Sequence, residues 1–169
     1  MATKSLSASS TLGNSLGKTK LVEVVVEQVF FFSVLLLLIQ DADFYNPALR
    51  MKIRYIFDRI ADCAGMRRYE STDTSTILHT ILPKLFIIWD NNIKKSVKVQ
   101  SRGANYSGVF LLKMQRELNE AIKTCMCENR IERSAAISYI ETQSGNKTMA
   151  KLADEYNYMK YVKRHSDII

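Results

Sequence analysis

VFFFSVLLLLI, residues Val29–Ile39, is the stretch whose reading decides the fold. One serine interrupts eleven otherwise apolar residues, so the run must be covered by a core, a partner or a bilayer. Length separates these cases. A transmembrane helix needs about 20 apolar residues. Leu21–Ile39 approaches that length, but Glu23, Glu27 and Gln28 lie inside it, and a carboxylate deep in a bilayer is costly. Val24–Val26 and Phe30–Phe32 favour strand, and Leu35–Leu38 favours helix. The stretch is too long for an ordinary strand, so we expect a helix over 21–39, amphipathic at first and apolar all round at its end.

The segment before it is different in kind. Met1–Lys20 is rich in Ser, Thr and Gly, carries Lys4, Lys18 and Lys20, and has no acid. It lacks the apolar periodicity to fold alone and reads as a flexible basic arm. Twenty polar residues ahead of the apolar run, and Gln40-Asp41-Ala42-Asp43 after it, argue against a cleaved secretory signal. A cytoplasmic or intravirion location is therefore expected.

Beyond the run, the periodicity is helical. Asn46-Pro47 supplies an N-cap and a first-turn proline. Leu49, Ile53, Ile56, Phe57 and Ile60 follow as a stripe, and Gly65 ends it. Ser71–Ser75 reads as a linker rich in capping residues, leading into a helix over Ile77–Trp89 that Pro83 kinks or divides. Asp90-Asn91-Asn92 suggests a bend, and Ile93–Gln100 fits either helix or a short strand. Ser101–Asn105 reads as a loop. Leu111, Met114, Leu118, Ala121, Ile122 and Cys125 form the buried side of a long helix. Arg130–Glu141 and Thr148–Arg164 read as two more helices about a Ser144-Gly145-Asn146 turn. The last is expected to bury Met149, Leu152, Ala153, Tyr156, Met159 and Val162.

With 169 residues, 47% hydrophobic and 24% charged, the chain can bury a core without staples. Six Gly and two Pro are too few for the many turns of an all-β fold. The expected architecture is all-α: a flexible arm over 1–20, then a single helical domain over 21–169, a bundle of about five to seven helices with a hydrophobic first helix.

The charge pattern points to a partner class. The net charge is +7 and the pI about 9.3, and the basic groups are clustered. Lys94, Lys95, Lys98 and Arg102 form one group without a nearby acid. Lys160, Lys163 and Arg164 form another beside Tyr156, Tyr158 and Tyr161. Cations beside aromatic faces suit phosphate contact and base stacking. With Lys18 and Lys20 these are the candidate nucleic-acid or anion contacts. Phe30, Phe31, Phe32 and Leu36 are the candidate oligomer or membrane contacts.

Catalytic chemistry is not legible. Three cysteines, Cys63, Cys125 and Cys127, lack C-x-x-C spacing, and two histidines lie far apart, so neither a disulfide framework nor a metal site is expected. Cys63, His79 and Asp90 supply the residue types of a nucleophile, base and orienter, but no surrounding motif supports them. No phosphate-cradling glycine loop occurs. We therefore expect no cofactor and no small-molecule substrate. The leading expectation is a non-enzymatic assembly protein that binds RNA or DNA and self-associates. Its layout looks like that of small viral coat, nucleocapsid or matrix proteins. One alternative is a membrane-associated protein with residues 21–39 inserted, its basic segments on anionic headgroups. Another is a helical adaptor or inhibitor that binds a partner protein.

Overall fold

The computed structural model describes residue 34 and residues 37–63, 71–98 and 103–163. The chain divides into two compact units, Met1–Leu36 and Leu37–Ile169, and the described architecture is that of the second. The arm over 1–20 and the contacts expected at Phe30, Phe31, Phe32 and Leu36 lie outside the described residues. Every regular element among the described residues is helical, as the sequence leads one to expect.

The order is α1 (Pro47–Cys63), α2 (Ser71–Ile81), α3 (Asn91–Val97), α4 (Gly103–Asn105), a π-helical segment π1 (Tyr106–Phe110), α5 (Leu111–Asn129), α6 (Arg133–Gln143), α7 (Met149–Asn157) and a second π-helical segment π2 (Tyr158–Lys163). Helix α1 lies against α2, α4 and π1, while α5 lies against α6 and α7, and α3 against π2. No helix among the described residues is long and apolar enough to cross a membrane.

Leu37 and Leu38 are not helical, so the helix expected through Ile39 does not reach that far. The chain turns instead: Asp41 and Ala42 both donate backbone N–H bonds to the Leu38 carbonyl, at 3.1 and 2.9 Å. Ile39 N donates to Lys84 O at 3.0 Å. The Gln115 side chain donates to the Ile39 carbonyl at 2.9 Å and also to that of Ala42. Ile39 and Phe44 are fully buried, so this irregular strap is part of the core.

Asn46 caps α1 as its sequence suggests, its Oδ1 accepting from Ala48 N at 2.9 Å. Ser71–Ser75, expected as a linker, instead forms the first turns of α2. Two hydroxyls of this helix bond within it, Ser75 and Thr76 donating back to the Thr72 carbonyl at 2.8 and 2.9 Å. Gly103–Asn105, expected as loop, is helical and runs through π1 into α5. Gly103 is there for closeness. A Cβ at this position would sit 3.1 Å from the Arg54 carbonyl oxygen and 2.7 Å from Asp58 Oδ1, both on α1. Gly103→Ala should therefore cost roughly 1 kcal/mol net, overpacking outweighing the better helix propensity. An unchanged urea midpoint would show that α1 and α4 do not approach this closely.

The largest departure comes after Pro83. Helix α2 stops at Ile81, because the residue before a proline is pushed out of helical conformation and Pro has no N–H to continue the ladder. Residues 86–90 then run without regular structure, and Leu85, Phe86, Ile87 and Trp89 are buried. Buried backbone must find hydrogen bonds, and here side chains supply them. Tyr106 Oη donates to Ile87 O at 2.7 Å. Asp154 Oδ1 accepts from Ile88 N at 2.7 Å, and Ser75 Oγ accepts from Trp89 N at 2.9 Å. His79 Nδ1 lies 2.7 Å from Phe86 O, which places its hydrogen on that nitrogen. Around this segment Trp89 stacks on Phe110 at 5.6 Å and meets the Tyr106 ring at a tilt at 5.5 Å, and Phe57 closes on Tyr106 at 4.8 Å.

Candidate nucleic-acid interface

Helix α7 begins where Thr148 Oγ1 accepts from Lys151 N at 3.3 Å. It buries Met149, Ala150, Ala153, Asp154 and Asn157. The stripe expected from its apolar spacing includes Tyr156 and Met159, yet each is 51% exposed. The helix is rotated because Asp154 must face Ile88 and because Asn157 points inward, its Nδ2 2.9 Å from Met114 Sδ. Two polar residues thus set the inner face, and a tyrosine and a methionine are turned out.

The π-helical turn beyond α7 gathers the consequence. A π-helix closes its hydrogen bonds over five residues and so turns more widely than an α-helix, and Lys160 and Tyr161, four and five residues on, both return to the side of Tyr156. Lys160 Nζ donates to Tyr156 Oη at 2.9 Å and lies 4.9 Å from the centre of that ring and 5.1 Å from that of Tyr161. Lys113, on α5, also reaches Tyr161, with Nζ 3.3 Å from the hydroxyl and 5.7 Å from the ring centre. One turn along α5, Arg116 donates from Nε and Nη2 to Tyr45 Oη at 2.9 and 2.7 Å and covers that ring at 5.4 Å. The result is a ribbon in which three cations each lie against a tyrosine, drawn from the strap, α5, α7 and π2.

The electrostatics follow from these contacts. The bond to the Tyr156 hydroxyl is the main reason the Lys160 ammonium holds its proton more firmly than usual. Partial burial pushes the Tyr161 phenol up, but the bonds from Lys113 and Lys160 outweigh it and leave the phenol below its ordinary value. Glu117 offsets part of the charge, with its carboxylate 3.9 Å from Lys113 Nζ. Tyr45 and Tyr156 remain 61% and 51% exposed.

The cations expected from sequence fall into three groups. Lys160 is in the ribbon, and Lys163 is exposed on the same π turn. Lys95 and Lys98 are exposed on and just after α3, which borders π2, so the two basic clusters sit on neighbouring elements. Lys94 is different. It is only 4% exposed, with Nζ 3.3 Å from Thr72 Oγ1 and 5.8 Å from the Trp89 ring, and burial lowers its pKa. It serves the interior and presents little to a polyanion. Lys18, Lys20, Arg102 and Arg164 lie outside the described residues.

Lys113, Arg116 and Tyr45 complete the ribbon and are absent from the sequence-based set. Lys113 and Arg116 are three apart and share a helix face, a signal that the sequence does carry. Tyr45 gives no such signal, because its partner is 71 residues away.

Of the residue types of a nucleophile, base and orienter, Asp90 and His79 have other partners, and the Cys63 side chain lies outside what the structure describes. Asp90 caps α3 by accepting from Ile93 N at 2.8 Å, and His79 pairs with Asp154, its Nδ1 3.3 Å from Oδ2. Cys125 is buried and Cys127 exposed, both as free thiols. No group of three potential metal ligands occurs among the described residues. An apolar groove of about 580 Å³ opens between α5, α6 and α7, floored by Met114, Leu118, Met149 and Leu152. In comparisons with known proteins, the chain matches no family, no curated protein and no solved structure.

Proposed function

We propose that this protein is a non-enzymatic, helical nucleic-acid-binding protein that associates with copies of itself, in the manner of a small coat, nucleocapsid or matrix protein. The observation that carries the reading is the ribbon. Lys113, Arg116 and Lys160 are each held by a tyrosine in a fixed place on the surface, where phosphates can reach them. Cations fixed in this way lose less side-chain freedom on binding than lysines on a free solvated face. The basic net charge adds long-range attraction. The groove between α5, α6 and α7 shares Arg116 and Tyr156 with the ribbon, so the assembly part rests on the sequence layout and not on this surface.

The test is retention on an RNA or heparin column across a salt gradient, with light scattering of the eluted protein. Wild type should release at a salt concentration well above that of the Lys113→Gln, Arg116→Gln, Lys160→Gln triple variant. Each lost phosphate contact should flatten the dependence of log affinity on log salt by roughly 0.7 to 0.9. Retention that ignores salt, or a triple variant that behaves as wild type, would remove the ribbon as a polyanion site. A monomer at all protein concentrations, with and without RNA, would remove self-association.

A further inference from the structure

We infer that the ribbon takes single-stranded nucleic acid in particular, its cations contacting the backbone and its outward-facing tyrosines stacking on unpaired bases; this rests on the polyanion reading above and names its ligand.

The cations alone would serve any polyanion. They do not explain why each is set against a ring, nor why rings at both ends of the ribbon stay open to solvent. Arg116 covers the Tyr45 ring and bonds its hydroxyl, yet Tyr45 as a whole is among the most exposed large side chains described. Tyr156 is likewise bonded to Lys160 and more than half exposed. Each ring is therefore oriented by its cation while part of it remains free for another flat partner. Restricting the ring beforehand lowers the entropy lost when a base stacks on it. A duplex keeps its bases stacked on each other and would meet such a surface with phosphates alone. A single strand can offer both, phosphate to Lys113, Arg116 and Lys160 and bases to Tyr45 and Tyr156. Glu117 sharpens this choice, because a carboxylate beside Lys113 repels an uninterrupted row of phosphates more than it disturbs a stacked base.

The experiment is fluorescence anisotropy with three probes of matched length or charge: an oligo-uridine 12-mer, a 12-base-pair RNA duplex and heparin. The single strand should bind roughly tenfold or more tightly than the duplex at equal salt. The Tyr45→Leu, Tyr156→Leu double variant should lose most of that preference while its salt slope stays that of wild type. The corresponding Tyr→Phe double variant, which keeps the rings, should retain the preference. Equal affinity for single strand and duplex would overturn the inference and leave a phosphate-only face. A single-strand preference that survives both leucines would overturn it too, by placing the stacking elsewhere. Photocrosslinking of wild type to a 4-thiouridine 12-mer gives a second readout that needs no variant. Adducts should map to Tyr45 or Tyr156, and adducts confined to other segments would count against the site. Failure to bind any of the three probes would instead sink the polyanion reading itself.

Discussion

Asp154→Ala should destabilise the protein by about 2 to 3 kcal/mol, and Asp154→Asn by much less. The alanine removes the acceptor for Ile88 N, and a buried N–H left without a partner costs about 1 to 3 kcal/mol. It also strips His79 of the carboxylate beside its ring. Asparagine keeps an oxygen in place. The two variants should further differ in their pH dependence. Burial raises the Asp154 pKa above its ordinary 3.8, against the opposing pull of His79, the Ile88 N–H and Lys151, while Glu155 and buried Tyr106 face it as well. A carboxyl with a raised folded pKa favours the folded state most below its unfolded value. That contribution is lost as pH rises through the folded value. Asparagine does not titrate, so the stability of Asp154→Asn relative to wild type should improve from pH 3.8 upward. Urea midpoints measured for both proteins between pH 3.5 and 7 check this. A difference that is flat with pH, or that moves against asparagine as pH rises, would mean that Asp154 is not a desolvated carboxylate.

Trp89→Ala should have the largest effect of any single truncation, a loss of about 3 to 5 kcal/mol. Trp89 is fully buried and lies between Tyr106, Phe110 and the Lys94 ammonium. Its removal leaves a cavity and deprives a buried cation of its aromatic cover. Trp89→Phe should lose less than half as much, because most of the stacking area remains and the indole N–H, which has no hydrogen-bond partner here, goes with it. Trp89 is also the sole tryptophan, so in wild type its fluorescence tracks this one site through unfolding. A loss below 1 kcal/mol for Trp89→Ala would contradict a core built around residues 86–90.

The elements legible in the sequence are those whose signals are local. Asn46-Pro47 announces α1 because a cap and a first-turn proline act within a few residues. Leu111, Met114, Leu118, Ile122 and Cys125 announce α5 because burial there repeats with the helix period, and all five are buried, while Ala121, expected beside Ile122, is exposed at the edge of that stripe. The break at Pro83 is readable as well, but the irregular path of residues 86–90 is not. Phe86-Ile87-Ile88-Trp89 looks like the end of a helix by hydropathy, and the side chains of Ser75, His79, Tyr106 and Asp154 make an irregular buried path tolerable. The same cause hides the orientation of α7. Asp154 and Asn157 are polar, and hydropathy alone turns them to solvent, yet their hydrogen bonds to the core outrank the apolar claims of Tyr156 and Met159. The ribbon is half legible. Lys160 and its tyrosines lie within one helical turn of each other, whereas Lys113, Arg116 and Tyr45 join them through tertiary structure alone.

The hydrogen bonds that hold residues 86–90 have a bearing on biosynthesis. Trp89 N finds its acceptor 14 residues back in the chain, Ile87 O its donor 19 residues ahead, and Ile88 N its acceptor 66 residues ahead. A growing chain could therefore shelter the Trp89 amide early, while the amide next to it stayed bare until Asp154 had been made. A buried, largely apolar stretch of the interior thus waits 66 residues for one of its polar partners. The domain closes over it only when α7 arrives, and α7 with π2 carries half of the surface ribbon.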